Sequence, residues 1–82
     1  MGQENEKNGK HPHPSPAMDL AQQLVYLMAD TGGLNESMGG YRIKVYHTKY
    51  FPWDEVFKAL LYRDFKVYVT RYKADLYIEA QP

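Results

Sequence analysis

Three stretches in the second half of the chain, residues 41–46, 65–70 and 75–79, carry an apolar side chain at every second position. A period of two is the signature of strands with one buried face, because successive side chains in a strand point to opposite sides of the sheet. Tyr41, Ile43 and Val45, then Phe65, Val67 and Val69, then Leu76 and Ile78 form the inward set. The outward set carries one tyrosine per strand, Tyr46, Tyr68 and Tyr77, among Arg42, Lys44 and Lys66. A chain patterned in this way builds a sheet with one buried and one open face.

Two helices accompany the strands. Ala17, Leu20, Ala21, Leu24, Leu27 and Met28 recur at helical spacing, with Val25 and Met18 widening the stripe. Ser15-Pro16 reads as its start, with proline at the first helical position. Asp30-Thr-Gly-Gly stops it, with Gly32 or Gly33 as a left-handed C-cap. Residues 34–38 then read as a short irregular piece or helical turn between two glycine pairs. A second helix opens at Pro52, with Asp54 and Glu55 in its first turn and Trp53, Val56, Phe57, Leu60 and Leu61 as its buried stripe.

The element order is therefore α-β-α-β-β, a small two-layer α+β domain. A three-stranded mixed sheet is expected, with both helices on one face. The first two strands flank a helix and should run parallel. The third strand sits at the edge or, in a split β-α-β arrangement, between the other two. Pairing Thr70 with Asp75 across a four-residue turn sets Val69 against Leu76, Val67 against Ile78, Lys66 against Glu79 and Tyr68 against Tyr77. Residues 1–15 lack periodic apolar side chains and read as a disordered tail, leaving 16–82 as one domain. A folded part of that size buries only roughly 60% of its chain surface, which leaves little room for an enclosed active site.

The chain has no cysteine, which rules out disulfides, thiolate metal sites and cysteine nucleophiles and fits a cytoplasmic, reducing setting. No apolar run approaches the ~20 residues of a membrane span, and no signal-like segment opens the chain. The formal net charge is zero but unevenly spread. Residues 17–40 hold three acidic residues and no basic one, whereas residues 41–82 hold eight basic against five acidic. A weakly basic sheet face of this kind prefers an acidic partner.

Chemistry-bearing constellations are sparse. His11 and His13 have the spacing to touch a metal but lack further rigid ligands, so a spacer is expected there. His47 lies by parity on the core-facing side near the sheet edge and has no orienting carboxylate in a recognisable context. No catalytic residues, metal or cofactor are expected, and the chain reads as a non-enzyme. The tyrosine face supports three readings. It is a solvated stripe of ring contacts that satisfies strand propensity. It is a protein-recognition surface, tyrosine and arginine being enriched at binding hot spots. Or it stacks the bases of a single-stranded nucleic acid on Tyr46, Tyr68 and Tyr77, with phosphates near Arg42, Lys44 and Lys66. A sequence pI near 6.8, with Asp75 and Glu79 on the same face, argues against the last. The expectation is a small adaptor or inhibitor that binds a larger protein through this face or through the free edge of the first strand. Homodimerisation by the same surfaces is compatible with it.

Overall fold

The computed structural model describes residues 19–82. Helix α1 (Leu20–Met28) leads through a 3-10 turn (Ala29–Thr31) into strands β1 (Gly32–Ser37) and β2 (Gly40–Val45). Helix α2 (Trp53–Tyr62) and strands β3 (Lys66–Tyr72) and β4 (Asp75–Gln81) complete the order α-β-β-α-β-β. The expected start at Ser15-Pro16, the tail with its two histidines, Ala17 and Met18 lie outside the described residues.

Helix α1 takes Asp19 as its N-cap. The Asp19 carboxylate accepts from the Gln22 N–H at 2.8 Å, and the Asp19 N–H donates back to the Gln22 side-chain oxygen at 3.1 Å. This capping box satisfies two donors that the first turn leaves without helical partners. At the other end the C-cap is Ala29, with φ of 50°, and the Thr31 hydroxyl donates to the Met28 carbonyl at 2.6 Å. Gly32 is extended there, so neither Gly32 nor Gly33 is the left-handed cap expected from the sequence.

The sheet has four strands in the order β1-β2-β4-β3, and every neighbouring pair is antiparallel. This corrects the expected three-stranded mixed sheet. The extra strand is β1, formed by the residues read as irregular. It pairs with β2 across a two-residue turn, Met38-Gly39, whose φ values of 51° and 82° have the left-handed sign that a type I′ hairpin demands at both positions. Strand β4 lies between β2 and β3, so the two strands flanking α2 run parallel to each other without touching. That is the split β-α-β arrangement.

The β3–β4 register differs from the expected one by two residues. Tyr72 pairs with Asp75, which places Val69 opposite Ile78, Val67 opposite Ala80, Thr70 opposite Tyr77 and Tyr68 opposite Glu79. The turn is Lys73-Ala74 alone, with Lys73 at φ of 57°. A slip of two changes every partner and leaves each side chain on its face, because the side-chain period is two.

The core is one cluster. Leu20, Leu24 and Met28 of α1, and Val56 and Leu60 of α2, meet Ile43 and Val45 of β2 and Ile78 and Ala80 of β4. Both helices thus cover one face. Phe51, from the loop before α2, joins the cluster and meets Trp53 edge-on at 4.8 Å, and Trp53 donates its indole N–H to the Thr48 carbonyl. Three residues expected inside are not: Val25 lies off the buried stripe of α1, Leu61 is 57% exposed, and Val69, on the core side of the edge strand β3, is 51% exposed. Helix α2 packs on β3 and Val67 there is half-buried against the core, so the cover gives out between Val67 and Val69.

Candidate functional site

The open face of the sheet is assembled by register alone. One row across it reads Gly33, Lys44, Tyr77 and Thr70, and the next reads Asn35, Arg42, Glu79 and Tyr68. A third row holds Ser37 on β1 opposite Gly40 on β2, with Lys66 opposite Gln81 further across. Arg42, Lys44, Lys66, Tyr68 and Tyr77 therefore all lie on the face that sequence parity assigned them, and Tyr46 follows directly on the end of β2.

The side chains on this face hold one another. The Arg42 guanidinium lies 4.2 Å from the centre of the Tyr77 ring and its Nε is 3.7 Å from the Glu79 carboxylate. Lys44 Nζ stands 3.5 Å from the Asp75 carboxylate. Both ion pairs are exposed, so each contributes below about 1 kcal/mol to stability. Their larger effect is on what the face offers a ligand. Two of its cations already have carboxylate partners, and Lys66 is the one without such a partner among the described residues.

Tyr46 is positioned by an absence. Its ring lies over Gly33, and a Cβ there would run into the Tyr46 hydroxyl. On the opposite side of the same strand, a Cβ on Gly32 would press on the Phe51 ring and on Met28 Sδ. The glycine pair lets an aromatic ring approach β1 closely from each side. The chain entering from β2 is also tied down: the N–H groups of Tyr46 and His47 both donate to the Thr31 carbonyl, at 2.8 and 3.2 Å.

The tyrosines do not form the ladder the sequence suggested. Tyr68 stands opposite Glu79 and Tyr77 opposite Thr70, so the expected Tyr68–Tyr77 pair is absent. A further ring belongs to the face: Tyr72, opposite Asp75, is 58% exposed and shares the parity of Tyr68. The sequence reading placed it in a turn. The apolar alternation of this strand stops at Val69, because Arg71 holds the next core-side position, so the signal that remained was the shared parity of Tyr68, Thr70 and Tyr72. His47, expected on the core side of its strand, is exposed beyond the end of β2, where its carbonyl accepts from Tyr50 and Phe51.

The free edge is also not where the sequence placed it. Strand β1 covers β2, so the sheet's edges are β1 and β3. Among the described residues, no group of three or more histidine and acidic side chains could hold a metal ion, and no helix is long and apolar enough to cross a membrane. Comparison with protein-family models, with curated proteins and with solved structures returns no match to this chain.

Proposed function

We propose that this domain is a non-enzymatic protein-interaction module, a small cytoplasmic adaptor or inhibitor that binds a larger protein through the open face of its sheet. The observation that carries this reading is a sheet face left open by the described residues, with four tyrosines, Tyr46, Tyr68, Tyr72 and Tyr77, whose two central cations are already matched by Asp75 and Glu79. Tyrosine offers a large, stiff contact area with a polar tip, which suits protein recognition. A polyphosphate ligand would have to compete with two carboxylates for Arg42 and Lys44, and only Lys66 would remain to receive it unopposed. The lack of cysteine supports a reducing compartment.

An affinity pulldown from the native host, with and without nuclease, tests this. A partner that survives nuclease, is lost with Tyr46→Ala or Tyr68→Ala and weakens only modestly with salt is the expected result. Titration with a labelled mixed-sequence oligonucleotide at two salt concentrations is the counter-test. Tight binding with a slope of ~0.7 per phosphate contact, abolished by Tyr68→Ala, would overturn the reading in favour of a single-stranded nucleic-acid binder.

A further inference from the structure

The two sheet edges differ in charge, while each has one helix beside it, α1 near β1 and α2 near β3. Strand β1 carries Glu36 and no cation. Strand β3 is seven residues long, has no proline, and carries Lys66 and Arg71 with Lys73 in the adjoining turn and no acidic residue. None of these three cations has a carboxylate partner among the described residues: Arg71 Nε donates to the Lys73 carbonyl at 3.3 Å, and Lys73 Nζ sits 5.5 Å from the centre of the Tyr72 ring.

Which backbone groups of β3 are free follows from the hairpin. In a two-residue hairpin the pair flanking the turn is hydrogen-bonded, here Tyr72 with Asp75, and bonded pairs then alternate along the ladder. Lys66, Tyr68, Thr70 and Tyr72 thus turn their N–H and C=O groups toward β4. Val67, Val69 and Arg71 turn theirs outward, where no strand among the described residues meets them. The side chain of Val69 is half-exposed beside those same outward groups. An unpaired, regular edge with apolar side chains is a template for another strand.

We propose that the free edge of β3 takes an extended acidic segment of a partner protein as an added antiparallel strand. This rests on the interaction-module reading and names its edge and its ligand chemistry. Main-chain bonds to Val67, Val69 and Arg71 supply the pairing, as in other cases of strand addition. Side chains supply the selection. A ligand residue opposite Val69 or Val67 is apolar, and those opposite Arg71 and Lys66 are carboxylates. The core ligand pattern is Glu-Thr-Val-Thr-Val-Glu, running antiparallel from opposite Arg71 to opposite Lys66. The β1 edge, with its own carboxylate, repels the same segment.

The test titrates the full chain with a fluorescent peptide of that pattern, with its Glu→Lys counterpart, and with two N-methylated isomers. Methylating the two valines removes the N–H groups that face β3, whereas methylating the two threonines alters only those facing away. The expected result is binding at least tenfold weaker for the lysine peptide and for the valine-methylated isomer, with the threonine-methylated isomer within about twofold. Val69→Pro removes an outward N–H and no bond to β4, so it should keep its far-UV circular dichroism and lose the peptide. Lys66→Glu with Arg71→Glu, which leaves the backbone intact, should reverse the preference between the acidic and lysine peptides. No saturable binding, or equal binding of the two methylated isomers, overturns the proposal. So does a dimer of the free chain that Val69→Pro converts to monomer, because a second copy would then occupy the edge. Tyr46→Ala separates this proposal from the face reading: Tyr46 lies on the far side of β4 from this edge, so the peptide should bind that variant normally even where the pulldown partner is lost. If Tyr46→Ala loses the peptide as well, the peptide lies on the face and the edge proposal fails while the face reading stands.

Discussion

A methyl group added at Gly40 would overlap the carbonyl oxygen of Ala80, whereas one added at Gly33 would meet the hydroxyl end of the Tyr46 ring. The distinction is between backbone in the central strand β4, which has paired neighbours on both sides, and the tip of a side chain that is 55% exposed. Gly40→Ala should therefore cost about 1–3 kcal/mol, the usual range when a closely packed site is overfilled. Gly33→Ala should cost about 0.5 kcal/mol or less, because the ring can swing into solvent. Urea unfolding of the two variants beside the parent measures both, and equal losses would show that Tyr46 is held by more than the gap beneath it. The Gly33 substitution should also weaken partner capture if the face is the docking surface, since it dislodges one of its rings. From the sequence, the glycine pairs looked like punctuation. Nothing local in a glycine says that a ring from a residue thirteen or nineteen positions later will lie over it, so the contacts with Tyr46 and Phe51 were out of reach of a pattern argument.

At the scale of elements, what was legible depended on whether the signal was periodic. The alternation in residues 41–46, 65–70 and 75–79 assigned faces correctly, and parity survived the two-residue error in register. The register itself was misjudged because Lys73-Ala74 lacks the Asn-Gly or Asp-Gly signature of a tight hairpin, yet Lys73 adopts a φ of 57° all the same. Strand β1 was missed because residues 32–37 hold no β-branched or aromatic residue and only one large apolar one, Leu34, and because its pairing with β2 depends on Met38 taking a left-handed φ. The start of α1 was placed at Ser15-Pro16, although Asp19 followed by Gln22 three residues later, ahead of an apolar run, is the capping-box pattern that the structure uses. The end of α2 shows how much a local choice weighs. The Phe65 N–H donates to the Leu60 carbonyl at 3.2 Å and the Asp64 N–H to the Leu61 carbonyl at 3.0 Å, a Schellman pair with Asp64 as the left-handed residue at φ of 63°. Glycine adopts that conformation without the Cβ penalty. Asp64→Gly should therefore stabilise the domain by up to about 1 kcal/mol, and the melting temperature should rise by ~4–8 °C per kcal/mol gained. A fall in melting temperature would mean that the Asp64 side chain contributes more than its backbone strain costs.

For the molecule as a whole, a single buried cluster joins both helices to the two central strands, while the edge strands lie at its margin. Stability should then be concentrated in few residues. At roughly 0.05–0.15 kcal/mol per residue, a domain of this length has a total stability of the same order as one large core truncation. Leu60 is fully buried where α2 meets the cluster, so Leu60→Ala should cost about 2–5 kcal/mol, a large share of the total, and lower the urea midpoint accordingly. Val69 was expected from the sequence to be an equal member of the core, yet it is 51% exposed on β3 and Val69→Ala should cost well under about 1 kcal/mol. The one tryptophan, Trp53, reports on the cluster through its contacts with Phe51 and Phe57, and far-UV circular dichroism reports on the sheet and helices. With one cluster, both probes should give the same urea midpoint in the parent and in Val69→Ala. Similar losses for the two substitutions would place a second layer over β3. Separate midpoints for the two probes would show that the helices and the sheet do not share the core the structure gives them.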